Sequence, residues 1–323
     1  MNILFLLGNG FDLNLGMKTS YRDFYENAYQ IQSDDNDLIK ELKSEIKENI
    51  ENWADLELAI GKHTSKLKNR EEFDIVFDDI REKLADYISQ QESSLTFDTS
   101  IKNKFLRDMR YPHNFLPDGE KSIFEHTIHN RASVNVISFN YTHSLKKIIN
   151  YYNTNLLIDI GKGHSSDFFT GIEHIHGFTN DELVLGVDNV EQIDNESFRT
   201  DEEVLNSLVK PQLNTLIQHH RDVRCKKLID NAQIICLFGL SIGETDKTWW
   251  EYIGNRLQAG NTKLIIFWWD ENKLIHIDKV LREKKAVKER FLSMMSLADN
   301  NVKEQLLQST YVAYNSEIFK IKK

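Results

Sequence analysis

Four short polar motifs carry the residue types best suited to chemistry in this chain of 323 residues. They are Gly8-Asn9-Gly10-Phe11-Asp12, Phe139-Asn140-Tyr141-Thr142, His174-Ile175-His176-Gly177 and Phe238-Gly239-Leu240-Ser241. Each motif lies at the end of a short apolar run. Ligands of parallel α/β sheets bind at the carboxyl ends of the strands, so we expect the four motifs to share one cleft.

The glycine turn at residues 8–12 suits close approach of a phosphate. Glycine has no side chain, and the N-terminus of a following helix favours negative charge. A complete dinucleotide fingerprint requires glycine at position 13, where this chain has Leu13. Asp12 repels a pyrophosphate unless it turns toward a ribose or caps a helix. A tight strand-to-helix turn with an Asp12 cap is therefore the alternative.

Asn140 and His176 are the candidate catalytic residues. Asn140 follows a strand and precedes a helix, so it either caps that helix or presents its carboxamide to water or a ribose. Histidine titrates near neutrality, which suits His176 to general-base work. If residues 174–176 are extended, His174 and His176 point to one face. Zinc binding by this pair is the alternative, but without a nearby cysteine or paired carboxylate no metal is expected.

Ser241 opens a different possibility. The string Gly-Leu-Ser-Ile-Gly at 239–243 matches the nucleophile-elbow pattern of serine hydrolases, which also need an aspartate and a histidine later in the chain. Asp246, Asp270 and His276 are available for those roles. Alternatively, the Ser241 hydroxyl helps to hold a ribose or phosphate.

Apolar runs that alternate with helical stretches predict an α/β fold whose sheet is mostly parallel and covered on both faces. The strands that begin at Ile3, Val134 and Ile234 should lie side by side. The predicted strands are 3–7, 134–139, 156–160, 173–175, 183–187, 233–238, 263–268 and 311–314, and the predicted helices are 142–152, 201–230, 245–257 and 286–298.

Residues 19–131 differ from the rest, because apolar residues such as Leu38, Leu42 and Ile46 recur there at helical spacing. We predict a helical insert that covers the cleft, with residues 1–18 and 132–323 forming the nucleotide-binding core. Within the insert, Trp53 and Glu57 share a helix face. Core packing by Trp53 and a solvated Glu57 are expected.

Composition excludes several classes of function. Hydrophobic residues make up 40% and charged residues 28%, as in ordinary globular proteins, and the net charge of −10 argues against a nucleic-acid partner. Cys225 and Cys236 form no CxxC pair, which excludes a disulfide scaffold. Without a long apolar stretch or signal-peptide pattern, we expect a cytoplasmic protein and no membrane partner.

The four motifs also resemble a known family. Together with Thr19-Ser20-Tyr21-Arg22-Asp23-Phe24 and Asn52-Trp53-Ala54-Asp55-Leu56-Glu57, they are similar, in the same order, to the AbiH family of phage abortive-infection proteins. More distantly, they resemble the sirtuin-like domains of bacterial antiphage proteins. That second resemblance implies a Rossmann-like core that binds NAD.

The sirtuin resemblance implies a role for each motif. Asn140 matches the asparagine beside the nicotinamide ribose, and His176 matches the catalytic histidine. True protein deacylases of this superfamily carry a four-cysteine zinc module, which this chain cannot build, so NAD cleavage is implied rather than deacylation. The implied NAD-binding residues are Gly8, Asn9, Gly10, Phe11, Asp12, Gly239 and Ser241.

The leading hypothesis is therefore an antiphage effector that binds NAD and hydrolyses it with release of nicotinamide. A non-catalytic nucleotide-binding sensor, or a partner-binding module of a defence complex, is the alternative, and a serine hydrolase is the third. The expected partners are a nucleotide and either a second copy of the chain or another defence protein.

Overall fold

A computed structural model describes seven segments of the chain and defines its helices and strands. The described residues are 1–96, 101–128, 131–151, 155–158, 167–179, 183–296 and 299–321. The strands are β1 Asn2–Leu7, β2 Ser133–Ser138, β3 Leu156–Leu157, β4 Phe168–His174, β5 Ile234–Phe238, β6 Lys263–Trp268 and β7 Thr310–Tyr314. The helices are α1 Gly10–Asn14, α2 Tyr21–Asn27, α3 Asp37–Glu48, α4 Leu56–His63, α5 Arg70–Ser93, α6 Ile101–Arg110, α7 Asp118–Ile128, α8 Ser144–Ile149, α9 Glu202–Leu208, α10 Lys210–Ile217, α11 Arg221–Asn231, α12 Lys247–Gln258, α13 Ile277–Ser293 and α14 Asn300–Ser309.

The strands form one sheet in the order β3-β4-β2-β1-β5-β6-β7. Every neighbouring pair is parallel except β3 with β4. Leu7 of β1 lies opposite Ser138 of β2 and Phe238 of β5, so the loops after these strands emerge together. The predicted α/β class and mostly parallel sheet are confirmed, as is the side-by-side placement of the three central strands.

Two hydrophobic cores form because alternate residues of each strand face opposite sides of the sheet. Phe5 and its face pack against α6, α7, α8 and the C-terminal segment. Leu4 and Leu6 pack on the other face, beneath α11, α12, α13 and α14. The sheet is therefore buried on both sides, which accounts for the continuous apolar runs in β1 and β5.

The elements described between β1 and β2 are all helices, and they pack in two places. Helices α2 to α5 form a third core with the segment that contains Leu185 and Leu208. Helices α6 and α7 instead pack on the sheet, for example through Phe105 and Phe124. Residues 19–131 thus contribute to two layers, and their division from the rest as a separate domain stays a prediction.

Several local predictions are wrong. Residues 183–187 form no strand, only an isolated bridge between Val187 and Val209, because this apolar segment packs in the helical third core. Residues 201–230 form three helices, since Pro211 lies in the first turn of α10 and Gln218 and His220 adopt left-handed backbone conformations.

Other boundaries shift. The predicted strand 173–175 is the end of the longer β4, and the helix predicted over 286–298 begins at Ile277. Part of the predicted strand 156–160 falls on residues 159–160, which lie outside the described residues. No helix in the described part of the chain is long and apolar enough to cross a membrane.

Candidate functional site

A cavity of about 1340 Å³ lies at the carboxyl edge of the sheet and brings the four motifs together. The helical segment after β1 supplies part of its wall through Tyr21, Asp55 and Glu57. Phe11 is the only predicted site residue that does not line it, because its ring is buried in the core against Phe105 and Phe319. The lining includes Gly8, Asn9, Gly10, Asp12, Asn140, His176, Gly239 and Ser241.

Gly10 and Gly239 allow the loops after β1 and β5 to pack against each other in the cavity wall. A Cβ on Gly10 would lie 2.5 Å from the Cα of Gly239, which itself has a φ of +68°. The Gly10 amide donates to the Gly239 carbonyl at 2.9 Å, and the Gly8 amide donates to Phe238 at 3.0 Å. Both amides are therefore used within the chain, and a ligand must be held by other groups of the cavity.

Asp12 ties the loop after β1 to the loop after β2. Its carboxylate accepts hydrogen bonds from Thr142 Oγ1 at 2.8 Å and from Ser144 Oγ at 2.5 Å. Burial raises the pKa of Asp12 to about 6, although these two hydrogen bonds oppose the shift. Asp12 lies inside α1, so the predicted cap at this position is wrong.

Asn140 does not cap a helix. Helix α8 begins only at Ser144, and its N-cap position is His143. Asn140 is 6% exposed and lines the cavity, and its Oδ1 has no hydrogen-bond partner among the described residues. A buried acceptor without a partner is costly, so Asn140 is suited to receive a hydrogen bond from a bound molecule.

The two histidines of the third motif have different surroundings. Strand β4 ends at His174, so strand alternation does not extend to His176 and the two are not a strand-face pair. His174 Nδ1 donates to the Asn140 carbonyl at 3.3 Å, and burial lowers the pKa of His174 to about 3. His176 instead lines the cavity, with Nε2 3.2 Å from Asp246 Oδ1.

A buried network behind His176 was missed in the sequence. Lys210 Nζ donates to Glu57 Oε2 at 2.9 Å and to Asp246 Oδ1 at 2.8 Å, and Tyr141 donates to Glu57 at 3.3 Å. Glu57 is 6% exposed, so the prediction of a solvated side chain is wrong, whereas Trp53 is buried as expected. The network joins α4, α10 and the loop before α12.

The two carboxylates of this network have pKa values that are shifted in opposite directions. Burial raises the pKa of Glu57, and Lys210 only partly offsets that effect. Burial also acts to raise the pKa of Asp246, but the charges of Lys210 and His176 outweigh it and hold this pKa below its usual value. Asp246 is therefore ionised and accepts the Nε2 hydrogen of His176. With Nε2 donating to Asp246, Nδ1 is the nitrogen whose lone pair can accept a proton.

His176 Nδ1 has no hydrogen-bond partner among the described residues. A histidine whose one nitrogen is oriented by a carboxylate and whose other nitrogen carries a free lone pair is the arrangement of a general base. Aspartate, histidine and asparagine therefore meet in one cavity wall.

The described residues form no serine triad. The Ser241 hydroxyl makes no hydrogen bond with them, and α12 begins only at Lys247, so no helix follows the serine directly as in a nucleophile elbow. His276 is exposed at the start of α13. Asp270 accepts from the Tyr314 hydroxyl at 2.6 Å instead of orienting an imidazole.

Comparison with known proteins places the chain in a family. Residues 4–268 match the family model for bacteriophage abortive infection AbiH proteins, and no curated protein matches the chain. The match spans most of the chain and includes all four motifs together with Glu57, Lys210 and Asp246. The chain belongs to the AbiH family of bacteriophage abortive-infection proteins.

Proposed function

We propose that this AbiH-family protein acts in phage abortive infection by binding NAD in the cavity and hydrolysing the bond between ribose and nicotinamide. The observation that carries the proposal is the placement of Asn140 and His176 in one cavity wall beside Gly8 and Gly10. Each presents a buried polar atom, Oδ1 or Nδ1, without a hydrogen-bond partner among the described residues.

The sheet topology supports a dinucleotide ligand. Without the antiparallel β3, the sheet order is β4-β2-β1-β5-β6-β7. When these six strands are renumbered by their position in the chain, the order is 3-2-1-4-5-6, and it reverses between β1 and β5. Sheets of this order bind dinucleotides across the crevice at the reversal point. Gly10 and Gly239 meet at that point, in the wall of the cavity. A sirtuin-like relationship is the finer form of this proposal.

The residues suit hydrolysis at the ribose. When the C1′–N bond breaks, its electron pair goes to the pyridinium nitrogen, so neutral nicotinamide leaves without a general acid. Water attacks C1′ and forms the new C–O bond, while His176 Nδ1 accepts the proton of that water. Asn140 Oδ1 accepts the other hydrogen of the water and orients it. The products are ADP-ribose, nicotinamide and one proton.

The charges of the cavity stabilise the cationic centre that develops at C1′. Asp12, Asp55, Glu57 and Asp246 line the wall near the reacting residues, and Lys210 neutralises only part of that charge. Asp246, which the charge of Lys210 keeps ionised, is the carboxylate that most favours an oxocarbenium-like transition state. Asp246 also stabilises the imidazolium that forms when His176 takes the proton.

A nucleotide-binding protein without catalysis is the second candidate, and the burial of His176 favours it. The side chain is only 4% exposed, and Nδ1 is enclosed. Hydrolysis then requires that the wall opens toward the ligand. Three lining residues, Tyr21, Asp55 and Glu57, belong to the helical segment after β1. A shift of that segment would therefore open the wall and expose His176 to the ligand.

Two measurements on the same purified chain distinguish the two candidates: nicotinamide release and NAD binding. Each is made with and without lysate from phage-infected cells. The proposal expects nicotinamide and ADP-ribose in equal amounts. Binding without products in either condition identifies the non-catalytic candidate. Absence of both binding and products rejects a role for NAD.

A further inference from the structure

We infer that the two ends of the cavity carry different charged groups, and that its β6–β7 end is a half-site for the phosphorylated adenosine part of the ligand. The inference rests on the proposed function for the identity of the dinucleotide. It assigns roles to Trp269, Lys273 and Arg290, three lining residues outside the four motifs.

The cavity is long enough to have two ends. Its lining runs from Asn140 after β2 to Tyr314 at the end of β7. Four strand spacings of about 4.8 Å separate these strands, which gives roughly 19 Å across the sheet. A compact ligand such as nicotinamide alone fills only one part of this length, whereas a dinucleotide has two rings joined by phosphates.

Charge divides the two ends. Asp12, Glu57 and Asp246 lie at the end near β1 and β2, which favours the cationic nicotinamide half. At the other end, Lys273 and Arg290 form no ion pair with any described carboxylate. Glu317 and Lys320 pair with each other there, and Glu271 and Asp270 are the other acids of this end, of which Asp270 accepts the Tyr314 hydroxyl. Lys273 and Arg290 are therefore the cations that this end offers to a phosphate.

Each free cation lies over an indole ring. Lys273 Nζ is 5.8 Å from the ring centroid of Trp269, and the Arg290 guanidinium is 5.9 Å from that of Trp268. Trp269 is 61% exposed although it lines the cavity. An exposed aromatic face stacks with a nucleobase, and an adjacent cation pairs with a phosphate.

The loop that carries Trp269 and Lys273 is held in place by hydrogen bonds to Tyr314 and Asn315. Tyr314 Oη donates to Asp270 at 2.6 Å, and Asn315 Oδ1 accepts from the Asp270 amide at 2.7 Å. Lys273 itself has a φ of +43°, a costly conformation for a residue with a side chain. These contacts fix Trp269 and Lys273 at the cavity rim before any ligand arrives.

Calorimetric titration of the full chain with ADP, with 2′,5′-ADP and with nicotinamide riboside tests the half-site. Lys273→Ala should weaken binding of both adenosine phosphates by about 10-fold or more, the scale of a charged hydrogen bond, and leave nicotinamide riboside unchanged. Trp269→Ala should cost about 10-fold through lost stacking. Lys279→Ala and Ile275→Ala, both exposed and outside the cavity, are the matched controls.

The outcomes are distinguishable from those of the proposed reaction. A larger loss for 2′,5′-ADP assigns Lys273 to the 2′-phosphate, a larger loss for ADP assigns it to the β-phosphate, and equal losses assign it to the 5′-phosphate that both ligands carry. Equal ADP affinity of Lys273→Ala and Lys279→Ala, or no ADP binding by the wild-type chain, overturns the half-site. Wild-type chain that binds ADP in this way but releases no nicotinamide refutes only the hydrolysis.

Discussion

The Nε2 atom of His176 lies 3.2 Å from Oδ1 of Asp246, and this contact determines which nitrogen of the imidazole can accept a proton. Asp246→Asn removes the charge that stabilises the imidazolium and permits the wrong tautomer. We expect nicotinamide release to fall on the order of 100-fold, with the fold retained because Lys210 keeps its bond to Glu57. Asp278→Asn, an exposed carboxylate on α13, is the control. Unchanged turnover of Asp246→Asn would exclude the proposed orientation.

Lys210 is expected to be the most important charged residue for stability. Its removal in Lys210→Met leaves Glu57 and Asp246 without their shared cation. The free energy of unfolding in urea should drop by about 3–5 kcal/mol, the cost of breaking a buried ion pair. Lys285→Met, on an exposed position, should be nearly neutral. If both variants unfold alike, the network has no structural importance.

A double variant separates the charge effect from the loss of packing. Glu57→Gln in the Lys210→Met background removes one of the two carboxylates left unpaired. It should recover part of the lost stability, because the two positions are in contact and their effects are not additive. Strict additivity in the same urea titration would show that Lys210 acts through packing alone.

The raised pKa of Asp12 predicts that the free energy of unfolding depends on pH. The folded chain holds its proton up to about pH 6, whereas the unfolded chain releases it near pH 3.8. The folded state binds more protons between these values, so the contribution of Asp12 to the free energy of unfolding falls as pH rises through this window. Asp12→Asn should therefore gain up to about 3 kcal/mol relative to wild type between pH 4 and pH 7. A constant difference across that range would contradict the raised pKa.

The glycine loops predict a stability effect that is separate from ligand binding. Gly10→Ala brings a Cβ against the backbone of Gly239 and should cost about 1–3 kcal/mol in thermal or urea unfolding. Gly119→Ala, where a Cβ meets nothing within 4 Å, should be neutral. If Gly10→Ala is as stable as wild type but no longer binds NAD, this glycine serves the ligand and not the loop contact.

The sheet was predictable because the central strands β1 and β5 are buried on both faces and are apolar from Ile3 to Leu7 and from Ile234 to Phe238. Ile3 and Ile234 start runs of this kind, and both are in the sheet. The same signal fails for residues 183–187, because an apolar run buried among helices has the same composition as a buried strand.

The part of the site formed by motifs that follow strands could be predicted from the sequence. Contacts between residues that are far apart in the sequence could not. Asn140 and His176 could be placed at the sheet edge from their strands alone. Lys210 is 153 residues from Glu57 in sequence, and lysine is rarely buried, so nothing local indicates their ion pair. The spacing of Trp53 and Glu57 predicted one shared helix face, and that prediction is wrong: Trp53 ends a 3-10 turn at Ile50–Trp53, whereas Glu57 lies in α4, which begins at Leu56.

Nicotinamide release from NAD by the purified chain, in the presence of phage-infected lysate and across three alanine variants, tests the central claim most directly. Wild type should release nicotinamide and ADP-ribose in equal amounts, and His176→Ala and Asn140→Ala should each be slower by on the order of 100-fold. Ser241→Ala should mainly raise KM, because its hydroxyl only helps to hold the nucleotide. Full activity of His176→Ala beside an inactive Ser241→Ala, or no nicotinamide from wild type, would contradict the claim.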